Sequence, residues 1–139
     1  MTTVIDPSIE KLIKSGAQID RIAGGFEFTE GPVWNSKAQQ LVFSDIYGNT
    51  LYTWSEEKGC EVFRRPSGQA NGNTYDRQGR LITCEHQNRR VSRTMEDGTV
   101  ETLADNYEGR KLNSPNDVVC SSTGDIYFTD PPYGLAQPD

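Results

Sequence analysis

Leu41-Val42-Phe43-Ser44-Asp45, Leu81-Ile82-Thr83-Cys84-Glu85 and Ile126-Tyr127-Phe128-Thr129-Asp130 are three versions of one short strand, each closing on an acidic residue. The acidic ends lie 40 and then 45 residues apart. Trp34, Tyr75 and Cys120 precede the copies, and Leu51 follows Asp45 by the same six residues that separate Val91 from Glu85. Turn chemistry divides the strand-like runs at Asn35 to Lys37, Gly48-Asn49, Glu56 to Gly59, Arg77 to Gly79, Glu96 to Gly98 and Ser121 to Gly124. A strand-only period of about 40 to 50 residues is what four-stranded propeller blades produce. The sequence therefore predicts an all-β chain, a β-propeller of which 139 residues supply about two and a half blades.

Ahead of the repeats, Asp6 as cap, Pro7 at the first helical position and the apolar stripe Ile9, Leu12 and Ile13 predict a short N-terminal helix ended by Gly16. The chain thus divides into a helix or arm over 1–18 and a partial propeller over 19–139. Its composition is lean, with 34% hydrophobic and 24% charged residues and a mean hydropathy of −0.69, and reads as part of a larger core. No apolar run exceeds three residues, against roughly 20 for a membrane span. The first 30 residues hold no signal-like apolar core, and the expected location is cytoplasmic. Fourteen basic against 20 acidic residues leave a net charge of −6, which repels nucleic acid. Cys60, Cys84 and Cys120 show no CxxC spacing and read as buried small hydrophobes, neither a disulfide framework nor a thiolate zinc site. His86 is the only histidine, so sites needing two imidazoles from one chain are excluded and a metal would be held mainly by oxygen.

The repeat register aligns more than the strands. Four residues before Trp34, Tyr75 and Cys120 stand Glu30, Asn71 and Asn116. The start of each blade's innermost strand lines the mouth of the central channel, so these side chains are expected to converge there. Carboxylate and amide oxygens in that arrangement suit a hard cation such as Ca²⁺ or Mg²⁺. The competing reading is that they are strand-start residues bonding their own backbone. Agreement among repeats favours a site for Glu30 and Asn116, while Asn71, in a Gly- and Asn-rich stretch, admits either reading. His86 reads as a hydrogen-bonded structural histidine or a pocket residue. Arg89, Arg90 and Arg93 read as a solvated or ion-paired face, Asp45, Glu85 and Asp130 as strand-end hydrogen-bonders, and Trp34 and Trp54 as blade core.

Glu30-Gly31-Pro32-Val33-Trp34, Ser114-Pro115-Asn116-Asp117-Val118 and Phe128-Thr129-Asp130-Pro131-Pro132-Tyr133-Gly134 resemble the family of gluconolactonase, regucalcin (senescence marker protein) and luciferin-regenerating enzyme. Gly79-Arg80-Leu81, Cys84-Glu85-His86 and Arg89-Arg90-Val91 bring the match nearest to bacterial gluconolactonases, over about residues 19–135. The resemblance implies a six-bladed propeller with one divalent cation at the channel mouth, Ca²⁺ first and Zn²⁺ or Mg²⁺ as alternatives. It implies Glu30 and Asn116 as metal ligands, and Asn71, His86, Asn116 and Tyr133 as substrate-contacting residues. Ser114 stands where regucalcin-like members carry a substrate-contacting arginine.

The implied reaction is metal-dependent hydrolysis of a lactone, with a small-molecule substrate and neither nucleic acid nor membrane as partner. In it the cation polarises the carbonyl and a carboxylate activates water. No serine nucleophile is expected, since Pro66-Ser67-Gly68 lacks a nucleophile elbow. Six blades need on the order of 250 residues. The aspartate that serves the family as ligand and general base has not occurred by Asp139, so the chain is expected to be an N-terminal part. The alternatives are a non-catalytic propeller scaffold for binding and an inactive fragment.

Overall fold

A computed structural model describes residues 6–14 and 16–135. The period-two alternation of the repeats produces two complete antiparallel sheets and the opening of a third. The first is β1 (Thr29–Asn35), β2 (Gln40–Asp45), β3 (Thr50–Ser55) and β4 (Gly59–Arg64), in that spatial order. The second is β5 (Ala70–Tyr75), β6 (Leu81–Glu85), β7 (Arg90–Thr94) and β8 (Val100–Ala104). A small hairpin, β9 (Asn106–Tyr107) and β10 (Arg110–Lys111), leads to β11 (Val118–Cys120) paired with β12 (Ile126–Phe128). Trp34 pairs with Leu41, Tyr75 with Leu81 and Cys120 with Ile126, so the three copies share one register.

At the front, the expected helix is a single 3-10 turn, Pro7–Lys11, rather than an α-helix. Asp6 caps it by accepting from the Ser8 amide at 2.8 Å. The turn stays short because Ile9, Leu12 and Ile13 remain exposed, and a helix of this length needs an apolar partner to persist.

Side chains on the two faces of a strand pack against different neighbours. Val42, Leu51, Ala70 and Leu81, with Val33 and Tyr75, fill the space between the first two sheets. Ile82, Cys84, Val91 and Val118, with Leu103, Ile126 and Phe128, fill the next. The second sheet is thus covered on both faces, and all five residues of β6 are buried. The first sheet presents its other face outward. There Phe26 sits on Phe43 and Tyr52 at centroid distances of 5.1 and 5.0 Å, and Trp34 is 49% exposed. On this face Trp34 lies beside Leu41, its partner on β2. Cys60 is likewise exposed on β4, Cys120 is half-buried, and Cys84 alone of the three is buried.

The inner strands approach unusually closely. Each of β1 and β5 carries a bulge near its start, at Gly31 and Gly72. A Cβ at Gly31 would collide with the Asn71 carbonyl oxygen, and one at Gly72 would lie 2.6 Å from the Asn116 carbonyl oxygen. The Gly72 amide donates to that oxygen at 2.7 Å. Beside this contact, buried Asn73 donates from Nδ2 to the carbonyls of Gly31 and Asn71 and to Ser44 Oγ, at 2.8 to 2.9 Å, and accepts from Thr83 Oγ1 at 2.9 Å. Further out, Arg64 of β4 crosses to Glu85 of β6 at 3.1 Å, where Arg90, Asn88 and Ser92 also donate. Burial pushes the Glu85 carboxyl up, but these donors and the Arg64 charge outweigh it and hold the group below its ordinary value.

Replacing Asn73 by Ala strips donors from two carbonyls and a hydroxyl at the sheet junction. Urea unfolding of Asn73→Ala is expected to show a loss of about 2–3 kcal/mol. An unchanged midpoint would mean that the junction is held by apolar packing alone.

Candidate active site

Glu30 and Asn71 each directly precede a bulge glycine, and Asn116 supplies the carbonyl that Gly72 meets, so the close contacts place these three residues near one another. Glu30, Asn71, His86, Asn116 and Tyr133 all line one cleft of about 610 Å³, together with Phe28, Ile46 and Tyr47. The structure thus brings together every residue singled out from the sequence for the site. Three come from inner-strand starts, and the others from loops that follow an acidic strand end. Asp45 precedes Ile46-Tyr47, Glu85 precedes His86, and Asp130 precedes the 3-10 turn Pro132–Gly134 that carries Tyr133. Asp45 accepts from the Glu27, Phe28 and Gly48 amides, and Asp130 from the Asn113 amide, as strand-end hydrogen-bonders.

Asn71 is the centre of the polar floor. Its Nδ2 donates to Asn116 Oδ1 at 2.7 Å and faces His86 Nε2 at 3.2 Å. Nε2 accepts this amide N–H in the tautomer that carries the ring proton on Nδ1. His86 is 6% exposed, and the backbone of Gly134 lies so close to the ring that a Cβ there would be 2.7 to 2.9 Å from its atoms. Burial pushes the imidazole pKa below its ordinary value, and the hydrogen bond with the Asn116 side chain offsets part of that shift. Ser114, fully buried, donates from Oγ to the Pro131 carbonyl at 2.6 Å and accepts from the Gly134 amide at 2.8 Å, which fixes the turn carrying Tyr133. It therefore braces the rim rather than facing ligand.

Glu30 differs from its neighbours. Its carboxylate is exposed, and the hydrogen bond at Oε2 comes from the adjacent Gly31 amide at 3.3 Å. It is the one carboxylate lining the cleft among the described residues, so the floor combines one negative charge with neutral amide oxygens. That donor set fits part of a hard-cation shell, because Ca²⁺ takes 6–8 oxygen ligands from carboxylates, amides and water. Among the described residues no group of three or more His, Cys, Asp or Glu assembles to hold a metal. The nearby arginines are committed elsewhere: Arg90 to Glu85, Arg93 to Asp76 and Glu101, and Arg89 to the Leu112 carbonyl.

Sequence reasoning overlooked Phe28 and Tyr47, whose rings stack 5.5 Å apart on the rim. A weak signal was available, since a tyrosine closely follows the acidic residue in both places, Tyr47 two residues past Asp45 and Tyr133 three past Asp130.

Four-stranded sheets whose inner strands abut are consecutive blades of a β-propeller, here with polar side chains gathered in a cleft. The family model described as SMP-30/Gluconolactonase/LRE-like region matches residues 28–139, and the chain belongs to that family. A curated gluconolactonase of Zymomonas mobilis subsp. mobilis is 32% identical over 152 residues, covering 99% of this chain and 42% of that protein. A crystal structure presented as a gluconolactonase candidate is 40% identical with a TM-score of 0.86, over 93% of this chain and 46% of its own. A Xanthomonas campestris gluconolactonase is 41% identical with a TM-score of 0.76, over 81% and 38%. Virginiamycin B lyase of Staphylococcus aureus, at 14% identity and a TM-score of 0.59, shares the fold alone. The chain spans less than half the length of each of these relatives. Among the described residues no helix is long and apolar enough to cross a membrane.

The lone imidazole makes the floor directly measurable. A ¹⁵N NMR titration is expected to place the His86 pKa below 6.5. Since the folded state favours the neutral ring, stability should be flat above that pH and fall as the pH drops below it. A pKa at or above 6.5 would contradict the buried placement.

Proposed function

We propose that this chain contributes the opening blades of a divalent-metal-dependent lactone hydrolase. The observation that carries the reading is the meeting of Glu30, Asn71 and Asn116 with His86 in one cleft, in a chain of the gluconolactonase-containing family. Glu30 and Asn116 would hold the cation, with Ca²⁺ first and Zn²⁺ or Mg²⁺ as alternatives. When bound, such an ion polarises an ester carbonyl and offsets the charge that develops on its oxygen.

This chain's own residues would place the reactants. Asn71 holds Asn116 Oδ1 in a fixed direction, so that amide reaches the binding position already oriented. Asn116, as a neutral ligand beside the Glu30 carboxylate, would leave net positive charge on the ion for the substrate. His86 and Tyr133 bound the space in which the ring sits. In the reaction water oxygen joins the carbonyl carbon, the ring C–O bond breaks, and a proton passes from water to the leaving alkoxide, giving a hydroxy acid. Neither Glu30 nor His86 suits the role of base. A carboxylate engaged on a dication is a weak proton acceptor, and the free lone pair of His86 faces the Asn71 amide.

Calcium and zinc titrations of the protein with its full set of blades, followed by thermal unfolding, with D-glucono-1,5-lactone hydrolysis in parallel, test the reading. Wild type should gain Tm with metal and lose hydrolysis on chelation, and Glu30→Gln should bind at least about tenfold more weakly. Identical titrations for wild type and Glu30→Gln would remove the metal site. A metal response without hydrolysis would favour a binding scaffold.

A further inference from the structure

The rim of the cleft carries an aromatic surface that the hydrolytic reading leaves unused. Phe28, just before β1, and Tyr47, in the loop between β2 and β3, stack at 5.5 Å with an interplanar angle of 23°. They are 46% and 67% exposed, so neither ring is absorbed by a core. The backbone that carries Phe28 is held firmly, and Tyr47 is placed by its stack on that ring. The Asp45 carboxylate accepts from the Phe28 amide at 2.9 Å and the Glu27 amide at 3.1 Å, and the Ile46 amide donates to the Phe28 carbonyl at 3.0 Å. Holding two large apolar rings in place beside water is unfavourable unless they have something to pack against. On the other side of the cleft Tyr133, 76% exposed, rises from the turn packed on His86.

We infer that the Phe28–Tyr47 pair is the specificity-determining wall of the cleft, taking the C–H face of a saturated six-membered ring whose oxygen-bearing edge reaches Asn71 and Asn116. The inference rests on the lactone reading of the same cleft. An aromatic face carries partial negative charge and attracts the polarised C–H bonds of carbons bearing oxygen. Two nearly parallel rings extend that apolar surface along the rim, which suits a compact ring better than a flexible chain. A few polar groups beside such a surface fix orientation, as in small-molecule sites generally. Opening the ring abolishes the rigid face, so the contact that selects the substrate also lets the hydroxy acid go.

The test uses the protein with its full set of blades and two stable probes, 1,5-anhydro-D-glucitol as a closed ring and D-glucitol as its open-chain counterpart. Saturation-transfer NMR should show binding of the ring compound through its C–H protons and no comparable binding of the open chain. Phe28→Ala and Tyr47→Ala should each weaken ring binding by roughly five- to tenfold, with Tyr47→Phe retaining it. Both rings are exposed, so these variants should fold as wild type does. No transfer to the ring compound in wild type, equal binding of D-glucitol, or unchanged binding in both alanine variants would overturn the wall. Hydrolysis of D-glucono-1,5-lactone separates the two readings. Turnover whose KM is unmoved by either alanine variant removes the wall and keeps the hydrolase. Ring binding that depends on Phe28 and Tyr47 in a chain without turnover keeps the wall and removes the hydrolase.

Discussion

The structure depends on how closely its inner strands can approach. Backbone meets backbone where Gly31 faces the Asn71 carbonyl and Gly72 faces the Asn116 carbonyl, and any side chain at either position would push the sheets apart. The rest of the site follows from that contact. Glu30 and Asn71 immediately precede the two glycines, and Asn116 supplies the carbonyl that the second one meets, so their side chains are gathered by the same geometry that joins the blades. Moving one strand outward would separate Asn71 Nδ2 from Asn116 Oδ1 and leave His86 without its partner. The polar floor is therefore as rigid as the blade junction beneath it.

That junction explains the lean composition. Much of what lies between the first two sheets is polar: Ser44, Asn73 and Thr83 are buried and bonded to one another or to inner-strand carbonyls. Hydroxyl and amide side chains can enter such an interface because each finds a partner, whereas an unpaired one would destabilise it. The apolar clusters then need few residues, and the sheets are fastened near the axis by hydrogen bonds and farther out by Arg64 reaching Glu85.

Much of this was legible in the sequence because a repeat states its register openly. The recurrence of Asp45, Glu85 and Asp130 at 40 and then 45 residues located the ends of β2 and β6 and fell two residues past β12, and counting back from Trp34, Tyr75 and Cys120 located the inner-strand starts without knowledge of a single contact. What escaped was whatever the repeat does not fix. The turn between β6 and β7 carries no glycine, and its left-handed position is taken by Arg89 (φ 53°) where the preceding blade uses Asn49 (φ 47°). The hairpin of β9 and β10 turns at Glu108-Gly109, outside the repeat. Alternation shows that Trp34 has a face but not which neighbour covers it. Asn73 carried no signal in the sequence, because partners from three other segments, rather than its own vicinity, make it a core residue.

Ile46, His86 and Pro131 occupy one place in three successive units, each directly after the strand-end acid. That place has accepted an aliphatic group, an imidazole and an imino acid, while the inner-strand position has kept to oxygen donors. Asn71 on the axis is tied to Asn116 of the next strand, and the loop carrying His86 is tied to Asn71 and packed by Gly134, so a change at either reaches its neighbours. Tyr47 and Tyr133, exposed on the rim, are where a side chain can be exchanged without disturbing the floor.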